Sequence, residues 1–195
     1  MSAPERGAAE AAQLIADALE TAGLSYAIGG ALALAVAGVP RGTLDVDVNV
    51  FVSEKRLEQV FDVLVSLGIE VDRPKAIDQT QREGMFVGRW DGMRIDVFLP
   101  SIPFAREAEA TRIRVSDPAG WSGWFLSAEA VAIFKLLFFR SKDVVDLERL
   151  VAVSPSDLDS AYVRRWIVEM MGEDDARVRT WDELVESFGQ HRPIR

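Results

Sequence analysis

The chain has 195 residues, 49% of them hydrophobic and 27% charged, with no cysteine and a formal charge of −9. That length and make-up suit one globular domain or two small ones, and the lack of cysteine excludes a disulfide scaffold and thiolate zinc sites while fitting a reducing compartment. The negative charge argues against an extended surface that tracks nucleic-acid phosphates. The N-terminal "MSAPERGAAE" has no apolar signal-peptide core, and the longest apolar run, Tyr26 to Pro40, is too short and too broken by glycine to span a bilayer. The expectation is a cytoplasmic protein with no membrane partner.

From Pro4 to about Ala22, apolar residues (Ala8, Ala12, Leu14, Ile15, Ala18, Leu19) recur at helical spacing, and Gly23 supplies a stop. "LSYAI" predicts a short buried strand that runs into Gly29 and Gly30, and "ALALAVAG" predicts a helix. After a loop with Gly38, Pro40 and Gly42, "TLDVDVNVFV" alternates strictly: Leu44, Val46, Val48 and Val50 on one face, Asp45, Asp47 and Asn49 on the other. Ser53 is placed to cap an amphipathic helix over "EKRLEQVFDVLVSLG". "MFVGRWDGMRIDVFLP" predicts a hairpin turning at Asp91 and Gly92, whose second strand sets Arg94 and Asp96 opposite Met93, Ile95, Val97 and Leu99. A short strand, "TRIRV", and the segment "AGWSGWF" follow.

From Ser127 onward four helices are predicted, over "SAEAVAIFKLLFFR", "KDVVDLERLVA", "PSDLDSAYVRRWIVEMMG" and "DDARVRTWDELVESFG", with Ser127 and Ser156 as caps. The fold class expected is α+β: a mixed β-sheet flanked by helices over residues 1–126, then a C-terminal helical bundle over 127–195.

Aspartate is a poor strand former, and Asp45 and Asp47 share one strand face about 7 Å apart. Asp96 has the same signature on another strand. If the two strands are neighbours, three carboxylates converge on one sheet surface and require neutralising cations; hard oxygen ligands of this kind favour Mg²⁺. A pair of such ions can clamp the attacking and leaving oxygens of an in-line phosphoryl displacement. Gly29 and Gly30, at a strand–helix junction, let backbone approach a phosphate.

This arrangement resembles the nucleotidyltransferase superfamily of the DNA polymerase β type, whose pattern is a Gly-Gly or Gly-Ser turn, a short helix, Asp-x-Asp on the next strand and a third carboxylate later. "RGTLDVDV" looks most like the minimal and AbiEii-like branches of bacterial toxin–antitoxin and phage-defence systems, through Arg41, Thr43, Asp45 and Asp47. "FKLLFFRSKDVVDLERL" is similar to a second stretch of those branches and places Lys135, Arg140, Lys142, Asp143 and Asp146. The resemblance covers roughly residues 24 to 151. Many relatives have serine where Gly30 stands, so a hydroxyl contact to phosphate is absent here.

The resemblance implies Asp45, Asp47 and Asp96 as catalytic, Mg²⁺-binding residues, with Gly29, Gly30, Arg41, Thr43 and Lys135 toward a nucleoside triphosphate such as ATP. It implies transfer of a nucleoside monophosphate to a hydroxyl of a tRNA 3′ end, a partner protein or a small molecule, with release of pyrophosphate. The competing expectation is a non-catalytic nucleotide-binding or interaction module of a toxin–antitoxin pair.

Plainer readings accompany these residues. Asp45 and Asp47 can be the solvated face of an edge strand, Lys135 a snorkelling stem and Asp143 a helix-dipole acid. Trp121 and Trp124 suit packing between the two halves better than base stacking, and His191 lies in a polar tail. Neither a P-loop nor a dinucleotide-binding pattern occurs.

Overall fold

In the computed structural model, residues 7–153 and 158–189 are described. Helix α1 spans Ala8–Thr21 and buries Ala11, Ala12, Ile15, Ala16 and Leu19, the stripe its periodicity predicts; the expected start at Pro4 lies outside the described residues. Strand β1, Tyr26–Ile28, is wholly buried, and α2, Gly30–Val36, starts two residues later. Strand β2, Asp45–Val50, buries Val46, Val48 and Val50 and leaves Asp45 and Asp47 half-buried.

Beyond β2 the chain differs from expectation. Ser53 makes no side-chain cap; a 3₁₀ turn, Glu54–Arg56, precedes α3, which runs only from Leu57–Ser66. An unpredicted helix, α4, spans Arg73–Glu83. Then come β3, Met85–Trp90, and β4, Met93–Phe98, joined at Asp91 and Gly92 with φ of 49° and 84°, the two left-handed residues that a tight hairpin demands. A second unpredicted helix, α5, spans Ala105–Ala110, and the expected short strand, β5 (Ile113–Ser116), pairs with a strand over the glycine–tryptophan segment, β6 (Ser122–Phe125).

The six strands form one mixed sheet in the order β3-β4-β2-β1-β6-β5. β2 and β4 run parallel, as do β1 and β6; the other pairs are antiparallel. Register places Val46 beside Ile95 and Val48 beside Val97, so the alternation of both strands turns apolar on the same side. On that side Phe61 of α3 meets Phe86 of β3 edge to face, ring centroids 5.1 Å apart. Each such buried side chain contributes about 1.5–3 kcal/mol.

Four helices follow: α6 (Ala128–Phe138), α7 (Ser141–Val153), α8 (Ser160–Met171) and α9 (Ala176–Gly189). Ser127 caps α6, its side chain accepting from the Ala130 N–H at 3.2 Å. Ser156 lies outside the described residues, and Asp159 caps α8 through the Tyr162 N–H. Ile133, Leu136, Leu147, Leu150, Val163, Ile167, Val178 and Trp181 form the core of these helices.

The chain divides into two compact units, Met1–Leu32 with Arg41–Leu126, and Ala33–Pro40 with Ser127–Arg195. Among the described residues no helix is long and apolar enough to cross a membrane.

Candidate active site

The polar face of β2 is framed by its two neighbours. In the parallel β2–β4 pair Asp47 stands beside Asp96 and Asp45 beside Arg94. Residues in register share a sheet face, so Asp45, Asp47 and Asp96 lie on one surface. On the other flank the β1–β2 register continues past Ile28↔Val48, and the Gly29 N–H donates to the Asp47 carbonyl at 2.9 Å. Asp47 therefore occupies the middle of the site, between the glycine turn and Asp96.

Both glycines are required by close approach. A Cβ on Gly29 would lie 2.8 Å from Asn49 Nδ2 and 3.3 Å from Leu126 Cδ1. A Cβ on Gly30 would overlap Asp47 Oδ2 and lie 2.5 Å from its Cγ, and Gly30 has a φ of +52°, a region other residues rarely enter. Since the Gly29 N–H is spent on β2, its part in the turn is to seat the strand, and Gly30 provides the open backbone over the Asp47 carboxylate.

The carboxylates have partners on the chain. The Thr43 hydroxyl donates to Asp45 Oδ1, fixing that side chain from the loop before β2. Arg94 Nε donates to Asp96 Oδ1 at 2.6 Å; Asp96 is 9% exposed, whereas Arg94 is open to solvent. Arg41 bonds the Gly42 carbonyl at 3.3 Å and is half-buried. The donor set, three carboxylates on one face, suits a hard cation. With Asp45 turned to Thr43 and Asp96 to Arg94, no group of three or more acids or histidines is gathered as a metal site among the described residues.

Lys135 belongs to the second unit. Its ammonium lies 2.6 Å from Asp146 Oδ2 and 3.6 Å from Asp143 Oδ1, with Lys135, Asp143 and Asp146 all under 9% exposed. Arg140 closes the group, Nε to Asp143 Oδ2 at 2.6 Å. Burial pushes the Asp143 carboxyl up, but the Arg140 guanidinium and Lys135 outweigh it and hold it below its ordinary value. Two cations thus face two carboxylates across α6 and α7, and the snorkelling alternative for Lys135 does not hold, since its head is inside.

Trp121 Nε1 donates to Asp17 at 2.8 Å, and Trp124 carries the Arg112 guanidinium 4.6 Å above its ring, so both indoles have partners within the sheet unit. The sequence reading passed over Arg94 as a functional residue. Its signal was a cation two residues before Asp96 on the same strand face.

No protein-family model matches the chain, and no curated protein does. Among solved structures, the solution structure of the antibiotic-resistance factor ANT(2″)-Ia aligns at a TM-score of 0.48 and 15% identity, over 92% of this chain and 89% of that one. The crystal structure of an antigenic nucleotidyltransferase-like protein from Paracoccidioides brasiliensis aligns at 0.49 and 14%, over 89% and 92%. The crystal structure of ANT(2″)-Ia in complex with adenylyl-2″-tobramycin aligns at 0.50 and 16% identity, over 92% of this chain and 95% of that one. At that identity the likeness is one of fold: the α+β architecture, mixed sheet and helical second half, is that of ANT(2″)-Ia.

Proposed function

We propose that the chain is a nucleotidyltransferase that moves a nucleoside monophosphate from a nucleoside triphosphate to a hydroxyl acceptor and releases pyrophosphate. The observation that carries this reading is the setting of Asp47: register neighbour of Asp96 on one side, and packed on the other over a glycine whose Cβ would overlap its carboxylate. The fold shared with ANT(2″)-Ia, a protein seen with an adenylylated product, supports it.

Asp45, Asp47 and Asp96 would hold Mg²⁺, which when bound offsets the charge of the triphosphate and of the reacting oxygens. The chain's own groups do the rest. Gly30 leaves room for the Asp47 carboxylate against the backbone of the turn, and Thr43 orients Asp45. Asp96 accepts the proton of the attacking hydroxyl as its oxygen bonds to the α-phosphorus and the bond to the β-phosphate oxygen breaks. Arg94 steadies Asp96 in the resting chain. Most of the rate enhancement would come from positioning and fixed charge.

The Arg41, Thr43, Asp45, Asp47 stretch supports the minimal or AbiEii-like branch, and with it a toxin–antitoxin or defence setting. In that setting Arg41 serves the nucleotide, and the acceptor is a tRNA 3′ end, a partner protein or a small molecule; Lys135, buried against Asp143 and Asp146 in the second unit, is left to structure. Asp47→Asn is expected to lower transfer by about 100-fold or more with an unchanged melting curve, assayed by pyrophosphate release and label transfer from each α-³²P nucleoside triphosphate. Full activity in a folded Asp47→Asn protein would refute the assignment. The Arg94–Asp96 pair favours one second reading, a nucleotide-binding module without transfer: it predicts saturable nucleotide binding and no pyrophosphate in any acceptor mixture.

A further inference from the structure

Beside the aspartates, toward the β3 edge of the sheet, the chain forms an open concavity of about 730 Å³ whose charged and amide lining is Glu70, Asp72, Lys75, Gln79, Arg89 and Arg94. Register puts part of its wall, Val87, Arg89 and Arg94, on the reacting face. Arg94 pairs with Asp45 on one side and with Arg89 on the other, and Val87, which also lines the concavity, pairs with Asp96. Walking outward from β2, one row therefore reads Asp45, Arg94, Arg89, and the next reads Asp47, Asp96, Val87.

The charge balance here departs from that of the chain. Acids outnumber Lys and Arg by 31 to 22 overall, while this wall carries three cations and two acids. One of those acids is committed to the backbone: Asp72 Oδ1 accepts from the Lys75 N–H at 3.2 Å as the cap of α4. Arg94 reaches Asp96 through Nε and also lines the concavity. Lys75 and Arg89 are both exposed, and Glu70, the second acid, stands beside Arg89 in an antiparallel bridge, which leaves the wall with a net excess of one cation.

We propose that this concavity receives the acceptor, and that the acceptor carries a phosphate a few bonds from its reacting hydroxyl. The proposal rests on the transfer reading above. With the triphosphate on the Gly30 side of Asp47, the attacking hydroxyl enters from the Asp96 side, the side on which Arg94 and Val87 join the aspartates to the concavity. Strand spacing and rise place Arg89 roughly 8 Å from Asp96, backbone to backbone, which is the reach of a phosphosugar. Two guanidinium groups and an ammonium recognise a phosphate by charge-assisted hydrogen bonds and repel an amine cation.

Glucose, glucose 6-phosphate and glucosamine offer the same sugar hydroxyls with different charge. In the pyrophosphate-release assay with ATP, glucose 6-phosphate is expected to exceed glucose by about tenfold or more in kcat/KM, with glucosamine poorest. In Arg89→Ala and Lys75→Ala that preference should collapse toward one, through KM, and added salt should erode it in the wild type. A trinucleotide with a free 3′ hydroxyl, run in parallel, separates an RNA end from a free phosphosugar as the source of the phosphate. If glucose or glucosamine matches the phosphorylated sugar, or the Arg89 and Lys75 variants keep its preference, the proposal is overturned. If none of these acceptors is modified while another acceptor mixture still yields pyrophosphate, the phosphosugar proposal is overturned and the transfer reading stands; if no acceptor mixture yields pyrophosphate, the transfer reading is the one that fails. The concavity is then judged by titrating glucose 6-phosphate against the folded protein: saturable binding abolished in Arg89→Glu supports the anion site, and no binding ends it.

Discussion

Gly30 controls how Asp47 can lie. With φ at +52° and its missing Cβ facing the Asp47 carboxylate, any side chain there meets two penalties at once. The left-handed backbone costs a non-glycine residue about 1–2 kcal/mol, and the overlap forces the carboxylate to another rotamer. Gly30→Ala is therefore expected to lower unfolding free energy by only that amount while cutting transfer by about 100-fold, since a shift of an ångström at a reacting group has that effect. Urea unfolding and the transfer assay measure the two separately; equal activity would show that Asp47 is not needed in its present position. Lys135 behaves oppositely. Its head is buried against Asp146 and Asp143, so Lys135→Met leaves carboxylates inside the second unit short of a cation and is expected to cost about 3–5 kcal/mol. A variant of wild-type stability with weakened nucleotide binding would instead place Lys135 among the nucleotide contacts.

At the scale of elements, what could be read in advance depended on where the signal resides. β2 announced itself because its aspartates break a valine alternation, and the β3–β4 hairpin because Asp91 and Gly92 fill a turn that needs positive φ twice. The neighbourhood of β2 and β4 could not be read, since it is a pairing between segments far apart in the chain that no local pattern encodes. α4 was missed for another reason: Ala76 is its one buried residue, so it has no apolar stripe to show. Its determinants are terminal, with Asp72 capping through the Lys75 N–H, Pro74 in the first turn and Gly84 in the left-handed stop. The serines make the same point testable. Ser53 and Ser127 look alike in sequence, each before an amphipathic run, but only Ser127 accepts from its helix. Ser127→Ala should cost about 1 kcal/mol in urea unfolding and Ser53→Ala close to nothing; equal losses would contradict the capping geometry.

For the whole molecule, acid should act through the helical unit. Asp143, Glu173 and Asp175 are held below their ordinary values and all three lie in that unit. Burial raises the Asp143 carboxyl, but Arg140 and Lys135 lower it further. Glu173, exposed, is held down by the Arg164 hydrogen bond and Asp175, half-buried, by the Arg177 backbone N–H, and solvent screens the contribution of both. A carboxyl depressed by folding stabilises the native state above its unfolded value and loses that contribution as pH falls through its folded value. For Asp143 the loss begins near the ordinary 3.8 and is completed below it. The net charge of −9 acts the other way between neutrality and that range, because mild acid first relieves self-repulsion. Stability should accordingly hold or rise on acidification to about pH 4.5 and then drop. Asp143→Asn is expected to be less stable than wild type at neutral pH and to show a flatter acid limb, so that the two curves converge toward pH 3. Urea unfolding at a series of pH values tests the convergence, and pepsin tests the location: the first acid-exposed cleavages should fall between residues 127 and 189. Parallel curves for the two proteins would mean that the Lys135–Asp143–Arg140 group is not what acid undoes.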